Sequence, residues 1–317
     1  MEAGARRAGA VPPAAATPAA ARAADAATLQ RVDAQLDVWE TQSAYWEALL
    51  AVALDALGNT RGEVPFDTYV NARRLAMIRF KNGISKYWRA RIVNRVAVTI
   101  SREAKARIRT RLLDVLHEPD RAVAVQAAVA IARIARLDYP GEWPELVPTL
   151  QDALVQAAAA VHAAAESRTL AHSAAPTLTL LHAADVLRQC LKEFESVRVL
   201  AGKMRMTEMA RGLLPVLQPV YEQLFQDTFS HDVAAAWISA PGTAERVRAS
   251  HLLLKVLHRL SLADTGVVAA RVDASRPNLA YSFFLCTPPQ LGATAALRDE
   301  LVRTHMDAPV LAPLTKH

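Results

Sequence analysis

Apolar residues recur at spacings of three and four along most of the chain, and short polar or proline-bearing breaks cut them into helix-length runs. Leu29, Val32, Leu36 and Trp39 predict a first helix over 26–40, and Tyr45, Leu49, Leu50, Val52 and Leu54 a second from about Ala44. Gly58-Asn59-Thr60-Arg61-Gly62 ends that second run in a loop. Tyr69, Ala72, Ala76 and Phe80 line a third helix from Phe66 to Asn82, with Gly83 as its expected C-terminal cap. Tyr87-Trp88-Arg89 then falls in a connection that reaches Ser101, the expected N-cap of a helix carrying Ile108, Leu112, Leu113 and Leu116.

The next helix is expected to open at Pro119 and to carry Val123, Val125, Ala127, Val129, Ile131 and Ile134. It keeps almost no polar face, as a helix covered on several sides must. Arg136-Leu137-Asp138 closes it, Tyr139-Pro140-Gly141 breaks it, and Trp143-Pro144-Glu145-Leu146 starts another that runs to about Val161. Pro144 suits the first turn, where its missing N–H has no intrahelical partner. A long pair follows at 175–197 and 206–229, with a basic turn at Gly202-Lys203 and a second helix that Pro215 and Pro219 should kink or interrupt. Pro241-Gly242-Thr243 precedes a last clear run through Val247, Leu252, Leu253, Val256, Leu257 and Leu260.

Two helices joined by a short turn lie antiparallel. Units of about forty residues holding two helices each are the signature of a HEAT- or armadillo-type stack, in which each unit is too thin to bury its own core. The expected fold is all-α: a HEAT-repeat α-solenoid, a right-handed superhelical stack of antiparallel helix pairs. Residues 1–25 read as a disordered Ala/Pro-rich N-terminus without the compact apolar core of a secretory signal. Residues 26–117 form the first two repeats, 118–265 the third to fifth, and 266–317 an incomplete last repeat and a weakly determined tail carrying Pro288, Pro289, Pro309 and Pro313.

Composition sharpens this in two places. Cys190 and Cys286 are too few and too distant for a disulfide framework. The net charge of +6 is unevenly spread, since residues 67–136 hold sixteen basic and five acidic side chains. An electrostatic partner is therefore to be sought there.

Catalytic patterns are missing from the sequence. The nine histidines are dispersed, and His251 and His258 share a helix face without a carboxylate neighbour. There is no HExxH, no GxxxxGK[ST], no GxGxxG and no GxSxG, and Gly202-Lys203 lacks the upstream glycine of a phosphate-binding loop. Glu142 and Glu145 sit where acids favour a helix start. No enzymatic activity, cofactor or metal is expected. The stretch 169–186 holds Asp185, Pro176 and two histidines, so no membrane span is expected either.

Five elements nevertheless resemble, in order, one known family. They are Trp39-Glu40-Thr41-Gln42 with Tyr45; Phe80-Lys81-Asn82-Gly83-Ile84 leading to Tyr87-Trp88-Arg89; Glu118-Pro119; Leu137-Asp138-Tyr139-Pro140 with Trp143-Pro144-Glu145-Leu146; and Leu254-Lys255-Val256-Leu257 with Arg259-Leu260. Over residues 26–262 the chain is similar to importin-β superfamily nuclear transport receptors, and to their importin-11 branch in particular. The resemblance implies a receptor that binds the small GTPase Ran in its GTP form through its first repeats, carries protein cargo, contacts Phe-Gly nucleoporins, and shuttles between cytoplasm and nucleus by way of the nuclear envelope.

It also implies that the second helices of the first three repeats face the GTPase. The candidates there are Gln42, Tyr45 and Leu49, then Arg109 and Asp114, then Glu142 and Glu145. Family members are about three times longer and generally acidic, whereas this chain stops near the sixth repeat and is basic. An uncovered apolar face is thus expected at its last repeat. The rival reading is a non-enzymatic HEAT scaffold whose basic 67–136 segment holds nucleic acid or an acidic protein surface; nucleic acid is the less favoured partner.

Overall fold

The computed structural model describes residues 18–55, 65–93, 96–167, 174–196, 200–229 and 242–263. The expected loop at Gly58–Gly62, the tail from 266 onward with Cys286, and residues 1–17 of the expected disordered N-terminus lie outside them. The described helices are α1 (Pro18–Glu40), α2 (Ser43–Ala53), α3 (Phe66–Tyr87), α4 (Arg102–Leu112), α5 (Arg121–Asp138), α6 (Leu146–Glu166), α7 (Ala174–Glu195), α8 (Leu200–Phe229) and α9 (Thr243–Ala263). A 3₁₀ turn, Leu113–His117, extends α4. Two three-residue strands, β1 (Arg91–Val93) and β2 (Val96–Val98), pair antiparallel between α3 and α4.

The helices form a HEAT-type α-solenoid. One row runs α3, α5, α7, α9, each packed on the next; on the other side α2 packs on α4 and α6 on α8. Close packing runs mainly between units. Helices α5 and α6 share a turn, yet each leans chiefly on α7. A unit held by its neighbours rather than by itself is what a one-dimensional stack requires. The apolar run read from α5 is explained: Val123, Ala127, Ile131, Ile134 and Ala135 are all fully buried, with α3 on one side and α7 on the other.

Several local expectations are corrected. Helix α1 starts at Pro18, ahead of residue 26, because its alanines favour helix. Gly83 is not a cap, since α3 continues through it to Tyr87. It is there to admit the Trp46 ring, whose Cη2 would lie 1.9 Å from an added Cβ. Helix α5 starts at Arg121 rather than Pro119, because the Asp120 carboxylate accepts from the Val123 N–H at 3.0 Å and fixes the cap there. Pro144 belongs to the turn, and α6 begins only at Leu146. Gly202-Lys203 is not a turn but the first turns of α8, which runs on past Pro215 and Pro219 without a break. Ser101 does cap α4, its hydroxyl accepting from the Ala104 N–H at 3.2 Å.

Among the described residues no helix is long and apolar enough to cross a membrane.

Candidate functional site

The second helices of the first three units begin close together. Ser43 opens α2, and its hydroxyl accepts the backbone N–H of Ser101, the cap of α4, at 3.1 Å. One residue on, Arg102 reaches Glu142 in the turn before α6 at 3.6 Å. The N-terminal ends of α2, α4 and α6 are thereby aligned. One turn deeper, Arg107 of α4 grips Glu47 of α2 with two nitrogens at 2.7 and 2.8 Å. That bidentate grip holds the Glu47 carboxyl below its ordinary range; the hydrogen bond is the larger cause and outweighs partial burial.

Of the candidates, Gln42 is exposed at the start of α2, and Glu142 and Glu145 are exposed at the start of α6. The alignment brings these three to one end of the surface. Tyr45 and Leu49 are half-buried against the core, and Tyr45 meets Trp46 edge-on at a centroid distance of 5.2 Å. Asp114 is exposed in the 3₁₀ turn, twelve residues along from Arg102 and so about 18 Å away at the helical rise. It is not part of the aligned end.

Arg109 is turned inward. It is 8 % exposed, and its guanidinium donates to Asp138 Oδ2 at 2.7 Å. The other oxygen of Asp138 accepts from the Trp88 indole N–H at 3.0 Å. One carboxylate at the end of α5 thus ties α4 to the segment after α3. Lys105, whose ammonium lies 5.5 Å from the Trp88 ring centre, covers the indole. Beyond Asp138 the chain makes a cis Tyr139–Pro140 turn, Tyr139 stacks on Phe194 of α7, and Trp143 is buried. Two stretches that stood out in the sequence, one around Trp88 and one around Asp138, are therefore halves of a single joint.

The basic segment is largely committed within the fold. Arg73 and Glu118 form a buried pair at 2.6 Å, and Arg74 holds Asp120 at 2.8 and 3.0 Å. Burial would raise the Asp120 carboxyl, but Arg74 and the N–H of Val123 outweigh it and hold it low. Arg133 donates to the Lys81 carbonyl and the Ser85 hydroxyl at 3.0 and 3.1 Å, and Arg136 reaches Glu193 at 3.2 Å. Most of these contacts join one unit to the next.

Sequence reasoning missed Arg102, Arg107 and Glu47. A pair sixty residues apart leaves no local signal, although Arg107 and Arg111, four residues apart on α4, share a charged face. Among the described residues no three His, Cys, Asp or Glu side chains are grouped to hold a metal ion.

Residues 32–118 match the importin-beta N-terminal domain. Importin-11 of Mus musculus is 38% identical over 131 residues, which are 41% of this chain and 12% of that protein. The importin beta-like protein KAP120 of Saccharomyces cerevisiae is 30% identical over 227 residues, 71% of this chain and 19% of that one. Among solved structures, that of Lph2, a novel bidirectional nuclear transport receptor in S. cerevisiae, superposes with a TM-score of 0.52 at 27% identity, covering 73% of this chain and 19% of that chain. The chain thus spans between 12% and 19% of the length of these relatives. With the domain match lying on α1 to α4 and the same solenoid continuing beyond it, the chain belongs to the importin-β superfamily as an importin-11-like protein.

Proposed function

We propose that the chain is the GTPase-binding arch of a nuclear transport receptor. It engages Ran in its GTP form through the row built on α2, α4 and the start of α6, and serves protein import into the nucleus. The match of 32–118 to the importin-beta N-terminal domain carries this reading. The aligned helix starts support it, because they offer a continuous polar strip rather than isolated side chains. In this reading Gln42, Glu142 and Glu145 meet the GTPase at one end and Asp114 at the other. Tyr45 and Leu49 shape the floor, and Arg109 acts by holding Asp138. Residues 26–117 are the binding domain and 118–265 continue the arch. Cargo and Phe-Gly nucleoporins complete the partners, and the receptor moves between cytoplasm and nucleus.

The rival scaffold reading has less support, because Arg73, Arg74, Arg107, Arg109 and Arg136 already have carboxylate partners. Cations already neutralised release fewer counterions from a nucleic acid. The test is retention of the chain on immobilised Ran loaded with a non-hydrolysable GTP analogue or with GDP. Retention on the GTP form alone is the expected result. Equal retention on both, or none on either, defeats the proposal.

A further inference from the structure

The hairpin between α3 and α4 has two open edges. Its register pairs Arg91 with Val98, Ile92 with Ala97 and Val93 with Val96, with only two residues between the paired strands in the sequence. In such a hairpin the pair flanking the loop exchanges hydrogen bonds and the next pair does not. The backbone N–H and C=O of Ile92 and of Ala97 therefore point away from the partner strand, one set on each outer edge. No third strand pairs with either edge among the described residues. Ile92 is 76 % exposed. A two-stranded ribbon in water is marginal alone, and a third strand is what commonly stabilises one.

The sequence around the hairpin limits which strand can add. Between Tyr87 and Ser101 there are three arginines, Arg89, Arg91 and Arg95, and no acid. Like charges disfavour pairing with a second copy of the same hairpin, the usual hazard of an open edge. The same charges favour an extended segment bearing Asp or Glu. Backbone pairing is specific to a polypeptide, which argues for a peptide over a nucleic acid as the occupant.

We propose that this hairpin is a docking edge for an extended acidic peptide segment of a partner protein, which adds to it as a third strand. The hairpin ends three residues before Ser101, the cap of α4, so it adjoins the start of the GTPase-facing row, but its open edges and its charge do not depend on that reading.

The test is fluorescence anisotropy on the full chain with a labelled peptide alternating Glu and Val, a Lys/Val counterpart, and a single-stranded RNA oligonucleotide. The Glu/Val peptide should bind and the Lys/Val peptide should not. Ile92→Pro and Ala97→Pro each remove one outward N–H, and one of the two should weaken binding at least about tenfold. The double variant Arg89→Glu, Arg91→Glu should reverse the preference between the two peptides. Far-UV circular dichroism and the melting temperature should be unchanged in every variant, since the hairpin lies outside the helical core. The proposal fails if neither peptide binds, if both bind alike, or if both proline variants bind as the parent does. It also fails if the RNA binds with steep salt dependence and displaces the peptide.

Discussion

At the residue scale, Gly83 shows how a single side-chain absence can fix a packing arrangement. Trp46 is 1 % exposed and meets Phe80 and Tyr87 as well as the Gly83 backbone. An alanine at 83 would gain the better helix propensity, worth about 0.5–1 kcal/mol. Its Cβ would fall 1.9 Å from Trp46 Cη2, and a ring enclosed on all sides cannot retreat cheaply. Overpacking of that kind costs about 1–3 kcal/mol, so the clash wins. Gly83→Ala should lower the denaturation midpoint in urea without changing the slope, and Gly83→Val should lower it further. A stabilised Gly83→Ala would mean that α2 and α3 are not packed as described. The sequence suggested a cap at Gly83 because glycine after an apolar run usually ends a helix. A glycine kept for a neighbour thirty-seven positions away gives the same local signal. Arg109 misleads similarly: nothing near it announces Asp138, so a buried tie reads as a surface charge.

At the element scale, helix existence was legible because apolar spacing reports burial directly, whereas helix ends were not. The start of α5 depends on which side chain accepts the first free amide: the Asp120 carboxylate does, so the helix opens after Asp120 and not at Pro119. The β1–β2 hairpin was missed because the arginines around it hide a short β-branched run. Contact between elements can also depend on pH. His162 on α6 holds Asp227 on α8 at 3.0 Å, Gln223 of α8 donates to the same carboxylate at 3.0 Å, and Glu166 lies 3.4 Å from the other ring nitrogen. The hydrogen bond to Asp227 raises the affinity of His162 for its proton above the ordinary 6.5, outweighing slight burial, with the charges of Asp227 and Glu166 adding to it. A raised folded-state value means the contribution is complete below about pH 6.5 and is lost as pH climbs through the folded-state value. The side chain is 35% exposed, so the effect is modest. Urea denaturation at about pH 6 and about pH 8 should show a fall in stability that His162→Gln removes. An equal fall in both proteins would assign the pH dependence elsewhere.

At the scale of the molecule, ion pairs and apolar contacts both run chiefly from unit to unit: Arg73 to Glu118, Arg107 to Glu47, Arg136 to Glu193, Arg259 to Glu195. Stability in such a stack is a sum of neighbour terms, so damage should stay near where it is made. Leu253 of α9 is fully buried, as are Val256 and Leu260, between α7 and α8. Leu253→Ala should cost about 2–5 kcal/mol locally. Hydrogen exchange followed by mass spectrometry should then show faster exchange in α8 and α9, with α3, α4 and α5 protected as in the parent. Retention on the GTP-loaded GTPase should survive, because the proposed contact row lies in the first three units. If exchange instead rose uniformly from α2 to α9, the units would be folding as one globule. The repeat pattern would then describe the sequence without describing how the molecule holds together.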